Sequence, residues 1–202
     1  MIAETLTESP LSPASELGPF RDADYRNLPD EPRCELLYGR FYLSPSPSSL
    51  HQTTIANLWQ LLRGIARKTG GFTALAPLDV ALADHSVVQP DVIYVAAERR
   101  SIVGDRIDGA PDLLVEVLSP GTARRDRGEK LKLYAECGVK EYWVVDVAER
   151  QIEFLINRGG AFVVTMASDG LYRSPALPEI TLDLAQLWSE VDADLRQRPG
   201  QP

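Results

Sequence analysis

Two short aliphatic runs each carry one carboxylate near the centre, and this pattern constrains the chain more than any other. Asp91 lies in VVQPDVIYV and Glu116 in DLLVEVLS. Runs rich in Val, Ile and Leu and bounded by Pro, Asp or Gly read as strands of a largely buried sheet. A carboxylate inside such a strand is costly unless it is paired or holds a metal ion. Strand alternation leaves a plainer option open, in which each acid points to the solvent side of a half-exposed strand.

The surrounding pattern supplies the layers. Residues 34–44 read as a hairpin turning at Gly39, where positive φ is needed. The last serine of the loop SPSPSS predicts a cap for a helix over residues 50–68, with Leu58, Leu61, Leu62 and Ile65 on one stripe. Gly70 and Gly71 end it. Strands are predicted at 73–82, 87–97 and 112–119, and Pro90 marks an edge, a bulge or a strand entry. A second helix over 125–137 ends at Gly138. A strand at 141–147, a hairpin of 151–157 with 161–167, and a closing helix over 181–196 complete the order.

This order predicts a mixed α/β (α+β) domain with a central mixed sheet flanked by helices. The chain of 202 residues is the size of one domain. Residues 21–196 are read as that domain, 1–20 as a flexible arm rich in Ser, Pro, Thr and Glu with room for one docked turn, and 197–202 as a tail. No run approaches the roughly 18 apolar residues of a membrane span. Cys34 and Cys137 are too few for a disulfide scaffold or a Cys-rich zinc motif. With no basic and apolar leader at the N-terminus, a cytoplasmic protein with reduced thiols is expected.

Charge matters through its distribution. The formal net charge of -8 argues against a surface that grips nucleic-acid phosphates broadly. Residues 99–140, however, hold nine Lys/Arg and seven Asp/Glu, net +2. The densest part is RRDRGEKLK, residues 124–132. There Asp126, Lys130 and Tyr134 recur at i, i+4 and i+8 on one helix face. Asp126 and Lys130 can equally form an ion pair on a solvated face. Two acids on neighbouring strands can converge on one hard cation, and magnesium takes one or two carboxylates plus water and phosphate.

QPDV (89–92), PDLLVEVLSPGT (111–122), RDRGEKLKLY (125–134) and GVKEYWVVD (138–146), with CELLYGRFYLSPSPSSLH (34–51) upstream, resemble the Uma-two family. That family is grouped with restriction-endonuclease-like proteins of the PD-(D/E)XK nuclease superfamily. The resemblance spans about residues 30–165. It implies a restriction-endonuclease-like core and an endonuclease that cuts DNA with magnesium or manganese. Asp91 matches the motif aspartate and Glu116 the following (D/E), both as catalytic metal ligands. The superfamily lysine belongs two residues after Glu116, where this chain has Leu118. The resemblance moves it to the next helix, at Lys130, with Lys132 as a rival about 200° round the helix.

Further expectations attach to this centre. Glu35 matches the family's N-terminal acid, as a third carboxylate around the metal or a polar hairpin position. His51 matches a family histidine, which can also be structural. Gln89 can contact a water or a phosphate, or be a strand-edge amide. Asp126 and Tyr134 complete the surroundings, and Arg124, Arg125, Arg127 and Lys132 are the expected DNA phosphate contacts. A homodimer is expected, because one centre cuts one strand. The competing reading is a non-catalytic oligomerising or nucleic-acid-associated module on the same fold, which the acidic total favours.

Overall fold

In the computed structural model, residues 17–29, 31–44 and 46–196 are described. Most of the predicted arm and the tail lie outside them. The elements run α1 (Asp22–Tyr25), β1 (Cys34–Leu37), β2 (Arg40–Leu43), α2 (Ser49–Thr69), β3 (Phe72–Leu75), β4 (Val80–Ala83), β5 (Ser86–Val88) and β6 (Val92–Val95). After a 3-10 turn come β7 (Ile107–Asp108), β8 (Leu113–Val117), α3 (Ala123–Arg125), a π-helical turn (Asp126–Lys130) and α4 (Leu131–Glu136). The chain continues with β9 (Glu141–Asp146), β10 (Gln151–Asn157), β11 (Phe162–Thr165), β12 (Leu171–Arg173), β13 (Thr181–Asp183) and α5 (Leu184–Arg196).

Prolines divide the central apolar runs. The run over 73–82, expected as one strand, breaks around Pro77 into β3 and β4. The run over 87–97 breaks around Pro90 into β5 and β6. Proline has no N–H for a ladder, so each half pairs in a different sheet. β3 and β6 join the mixed six-stranded sheet β11-β10-β9-β8-β6-β3, while β4 and β5 join the second sheet β2-β1-β5-β4-β7. The sequence foresaw the first sheet and not the second.

In the six-stranded sheet only β8 and β9 are parallel, and the α3–π–α4 segment is their crossover. One face is covered by Ile55, Leu58 and Leu62 of α2 and by Leu187, Trp188 and Val191 of α5. The other packs on Leu133 and Tyr134 of α4 and on Leu37, Val80 and Val88 of the second sheet. Glu116 projects into this second layer, between sheet and sheet.

Local chemistry fixes several ends. Ser48, one residue earlier than expected, caps α2 by accepting the N–H of His51 at 3.2 Å. The β1–β2 turn has positive φ at Tyr38 and Gly39, and residue 18 presses so closely that a Cβ on Gly39 would lie 2.3 Å from its carbonyl oxygen. The Gly18 N–H donates to Tyr38 O at 2.7 Å, so residues 17–20, assigned to the flexible arm from sequence, are docked on this turn. The predicted helix over 181–196 starts only at Leu184. Its first three residues pair with β12, and Asp183 accepts the N–H of Gln186 at the helix start.

Gly64 sits exposed inside α2, and a Cβ there would meet nothing within 4 Å. Gly64→Ala is expected to stabilise the fold by about 0.5–1 kcal/mol through lost backbone entropy in the unfolded chain. Thermal melting checks this, and an unchanged or lower midpoint contradicts it.

Candidate active site

The strand register brings the two acids together. Val92 of β6 pairs with Val115 of β8 in an antiparallel ladder, so Asp91 and Glu116 fall opposite each other one step further. Opposite residues share a face. The Val117 N–H donates to Asp91 Oδ2 at 2.7 Å, which holds that carboxylate against β8. Both acids line a cleft of about 140 Å³ at this end of the sheet.

The crossover helix delivers the cation. Lys130 Nζ lies 2.8 Å from Glu116 Oε1, 2.9 Å from Glu35 Oε1 and 3.6 Å from Asp126 Oδ1. Its side chain is 4% exposed. The Tyr134 hydroxyl donates to the same Glu116 oxygen at 2.8 Å. Asp126, Lys130 and Tyr134 therefore share a face as the i, i+4, i+8 spacing predicts, although the turn that carries the first two is π-helical. Tyr142 OH donates to the Asp126 carbonyl at 3.1 Å and satisfies one backbone oxygen of that wide turn. Lys132 points away, half exposed and 3.6 Å from Glu136. Leu118, at the superfamily's usual lysine position, is buried in the apolar layer.

Glu35 arrives from the other sheet. Besides Lys130 it accepts the Gln89 backbone N–H at 2.8 Å. The Gln89 side chain is tied to Asp79 at 2.8 Å and to the Tyr25 hydroxyl at 3.2 Å. Sequence reasoning missed Asp79 and Tyr25, because nothing in their local pattern marks them as supports. His51, in the first turn of α2, reaches the Val117 carbonyl with Nε2 at 2.7 Å and lies 3.6 Å from Asp91 Oδ2. A carbonyl only accepts, so Nε2 carries the proton. Nδ1 is buried with no hydrogen-bond partner among the described residues.

Of the four predicted phosphate contacts, only Arg125 lines the cleft, with its guanidinium 4.3 Å above the Tyr42 ring. Arg127 is bound to Glu153 at 2.8 Å and lies 3.6 Å from Asp146. Arg124 is exposed and, like Lys132, is not part of the lining. Arg33, Ser44, Ser119 and Thr122 also line the cleft. Arg33 escaped the sequence reading because it lies far along the chain from the basic segment.

Four carboxylates and one ammonium share this buried volume. Burial pushes Asp91 up to about 6, against the pull of His51 and the Val117 N–H. Burial also raises Glu116 well above the usual carboxylate range; Lys130 opposes this, and Asp126, Asp91 and Glu35 add to it. Asp126 is likewise raised, by burial first. Burial disfavours the Lys130 ammonium, but Glu116, Glu35 and Asp126 outweigh it and keep the group charged. Lys130 is thus a fixed cation rather than a proton acceptor.

The donor set suits a hard cation. Asp91 Oδ2 and Glu116 Oε1 are hydrogen-bonded, and no bond from the described residues reaches their second oxygens. The surplus of buried negative charge favours a divalent ion. Among the described residues, no three His, Cys, Asp or Glu side chains form a ready metal cage. Magnesium keeps several waters and needs only one or two carboxylates.

No curated protein matches the sequence. A solved structure from Anabaena variabilis ATCC 29413, described as "a putative nuclease belonging to DUF820", has a similar fold. The TM-score is 0.74 at 19% identity, covering 86% of this chain and 99% of that one. No helix among the described residues is long and apolar enough to cross a membrane. The model of the family Uma2, described as "Putative restriction endonuclease", matches residues 22–185. With that span matched, the chain belongs to the Uma2 family.

Proposed function

We propose that this protein is a metal-dependent endonuclease that hydrolyses DNA phosphodiester bonds, with Lys130 in the role of the superfamily's in-strand lysine. The observation that carries this reading is the contact of Lys130 Nζ with Glu116 Oε1 at 2.8 Å, beside Asp91 on the adjoining strand. Asp91 and Glu116 would hold magnesium or manganese. Such an ion, when bound, supplies Lewis-acid polarisation of a phosphate oxygen and acidifies water.

The chain's own groups do the rest. The Lys130 ammonium offsets negative charge that builds on the phosphate. Glu35 and Tyr134 fix its position and that of Glu116. Through the Val117 carbonyl, His51 anchors the end of β8 next to Asp91. Arg125 and Arg33, with Ser119 and Thr122, receive the flanking phosphates. These contacts give affinity without sequence readout.

The expected result is nicking of supercoiled plasmid by the wild type with magnesium or manganese, none with chelator, and none by Glu116→Ala. Cleavage that persists in Glu116→Ala contradicts the proposal. DNA binding through the two arginines of the cleft is expected to weaken as salt rises, with a slope of only about -2 in log K against log salt. Filter binding across a salt series measures this, and a flat response argues against phosphate contacts.

A further inference from the structure

Five large hydrophobic side chains are exposed among the described residues, and three of them stand within four positions. Val163 and Val164 are each 53% exposed and Met166 is 79% exposed. The two valines belong to β11, the edge of the six-stranded sheet, which pairs on one side only with β10. Val164 lies opposite Leu155 and Phe162 opposite Asn157, so Val164 and Phe162 share the face that bears Tyr142. Met166 continues that row by alternation. The run AFVVTMA, residues 161–167, contains no charge and no proline. Natural edge strands are usually blocked by one or the other, because a free row of N–H and C=O groups invites another strand.

We propose that β11 is a self-association edge, where a second copy of this chain adds its own β11 antiparallel about a two-fold axis through Val164. A two-fold axis perpendicular to a sheet keeps corresponding faces on the same side, so each residue meets one of the same parity. With Val164 on the axis, Phe162 faces Met166 of the second copy and Val163 faces Thr165. The apolar row Phe162, Val164, Met166 is therefore complementary to itself.

Charge favours the same arrangement. Exposed Arg158 lies at the β10–β11 hairpin tip and exposed Asp169 in the turn after β11. Antiparallel pairing carries Arg158 of each copy toward Asp169 of the other, at both ends of the interface. Parallel pairing would set like charges together. The dimer has two clefts and a continuous sheet, and its existence does not depend on the nuclease assignment.

Sedimentation equilibrium of the full chain at micromolar concentration tests the proposal. The wild type is expected to sediment at twice the chain mass. Val164→Lys, which sets two ammonium groups face to face on the axis, is expected to sediment at the chain mass with unchanged circular dichroism. Val164→Cys is expected to give a covalent dimer on mild oxidation that the wild type does not give. A monomeric wild type, as would follow if this edge served a strand of another protein, overturns the proposal. So does a dimer that survives Val164→Lys.

Discussion

Lys130→Met is expected to lower the stability of the metal-free protein by about 3–5 kcal/mol at neutral pH, the range for removing one partner of a buried ion pair. Methionine fills a similar volume, so the loss reports charge more than packing. Glu116, Glu35 and Asp126 all lie within 3.6 Å of the ammonium, and all three would lose their counter-charge at once. The destabilisation is expected to shrink at acid pH, where Glu116 and Asp126, both raised by burial, take up protons and no longer repel. Urea titration at neutral and acid pH measures both. A loss below about 1 kcal/mol at neutral pH would mean that the carboxylates do not depend on this lysine. Plasmid nicking is expected to fall by about 10²-fold or more, the scale for losing one preorganised charge-stabilising group. Arginine is not expected to restore it, since a planar guanidinium cannot replace a compact ammonium held by three oxygens.

Asp91→Asn is expected to act in the opposite direction on stability while abolishing nicking. Burial raises the Asp91 carboxyl from 3.8 to about 6, so the folded state holds its proton to higher pH than the unfolded state. The contribution of this group to stability is therefore greatest below the unfolded value. It falls as pH rises toward about 6, and above that the full cost of a buried anion remains. A shift of this size corresponds to on the order of 2–3 kcal/mol. Asparagine removes the cost and still accepts the Val117 N–H. In chelator, the variant is expected to melt above the wild type at pH 7 and close to it near pH 4. A variant less stable than the wild type at pH 7 would refute the account of Asp91 as an unfavourable buried anion. A gain in stability with a loss of activity is the signature of a site that keeps strain for function.

Part of the grouping at the candidate site is legible in the sequence. Asp91 and Glu116 stood out because a lone carboxylate in an aliphatic run has few comfortable states. Lys130 is preferred to Lys132 because it shares a helix face with Asp126 and Tyr134 and because the family resemblance points to it; the structure buries the first and half exposes the second. Glu35 was legible as an acid on a hairpin, but its contact with Lys130 was not. That contact depends on how the second sheet packs over the first. The basic segment misled at Arg127, because a run of positive residues does not show that Glu153 and Asp146 stand within reach.

Sequence by itself determined the main helices and the apolar strand runs, the turn at Gly39, the face shared by Asp126, Lys130 and Tyr134, and the acids that need a partner. These follow from backbone sterics, helical and strand periods and the cost of buried charge, all of which act within a few residues. Tertiary structure alone decided that Pro77 and Pro90 split their runs between two sheets, that Glu35 meets Lys130 and that β11 is left as an open edge. Those outcomes depend on which distant surfaces pack together, and burial of apolar area is too unspecific a force to be read from short spacings.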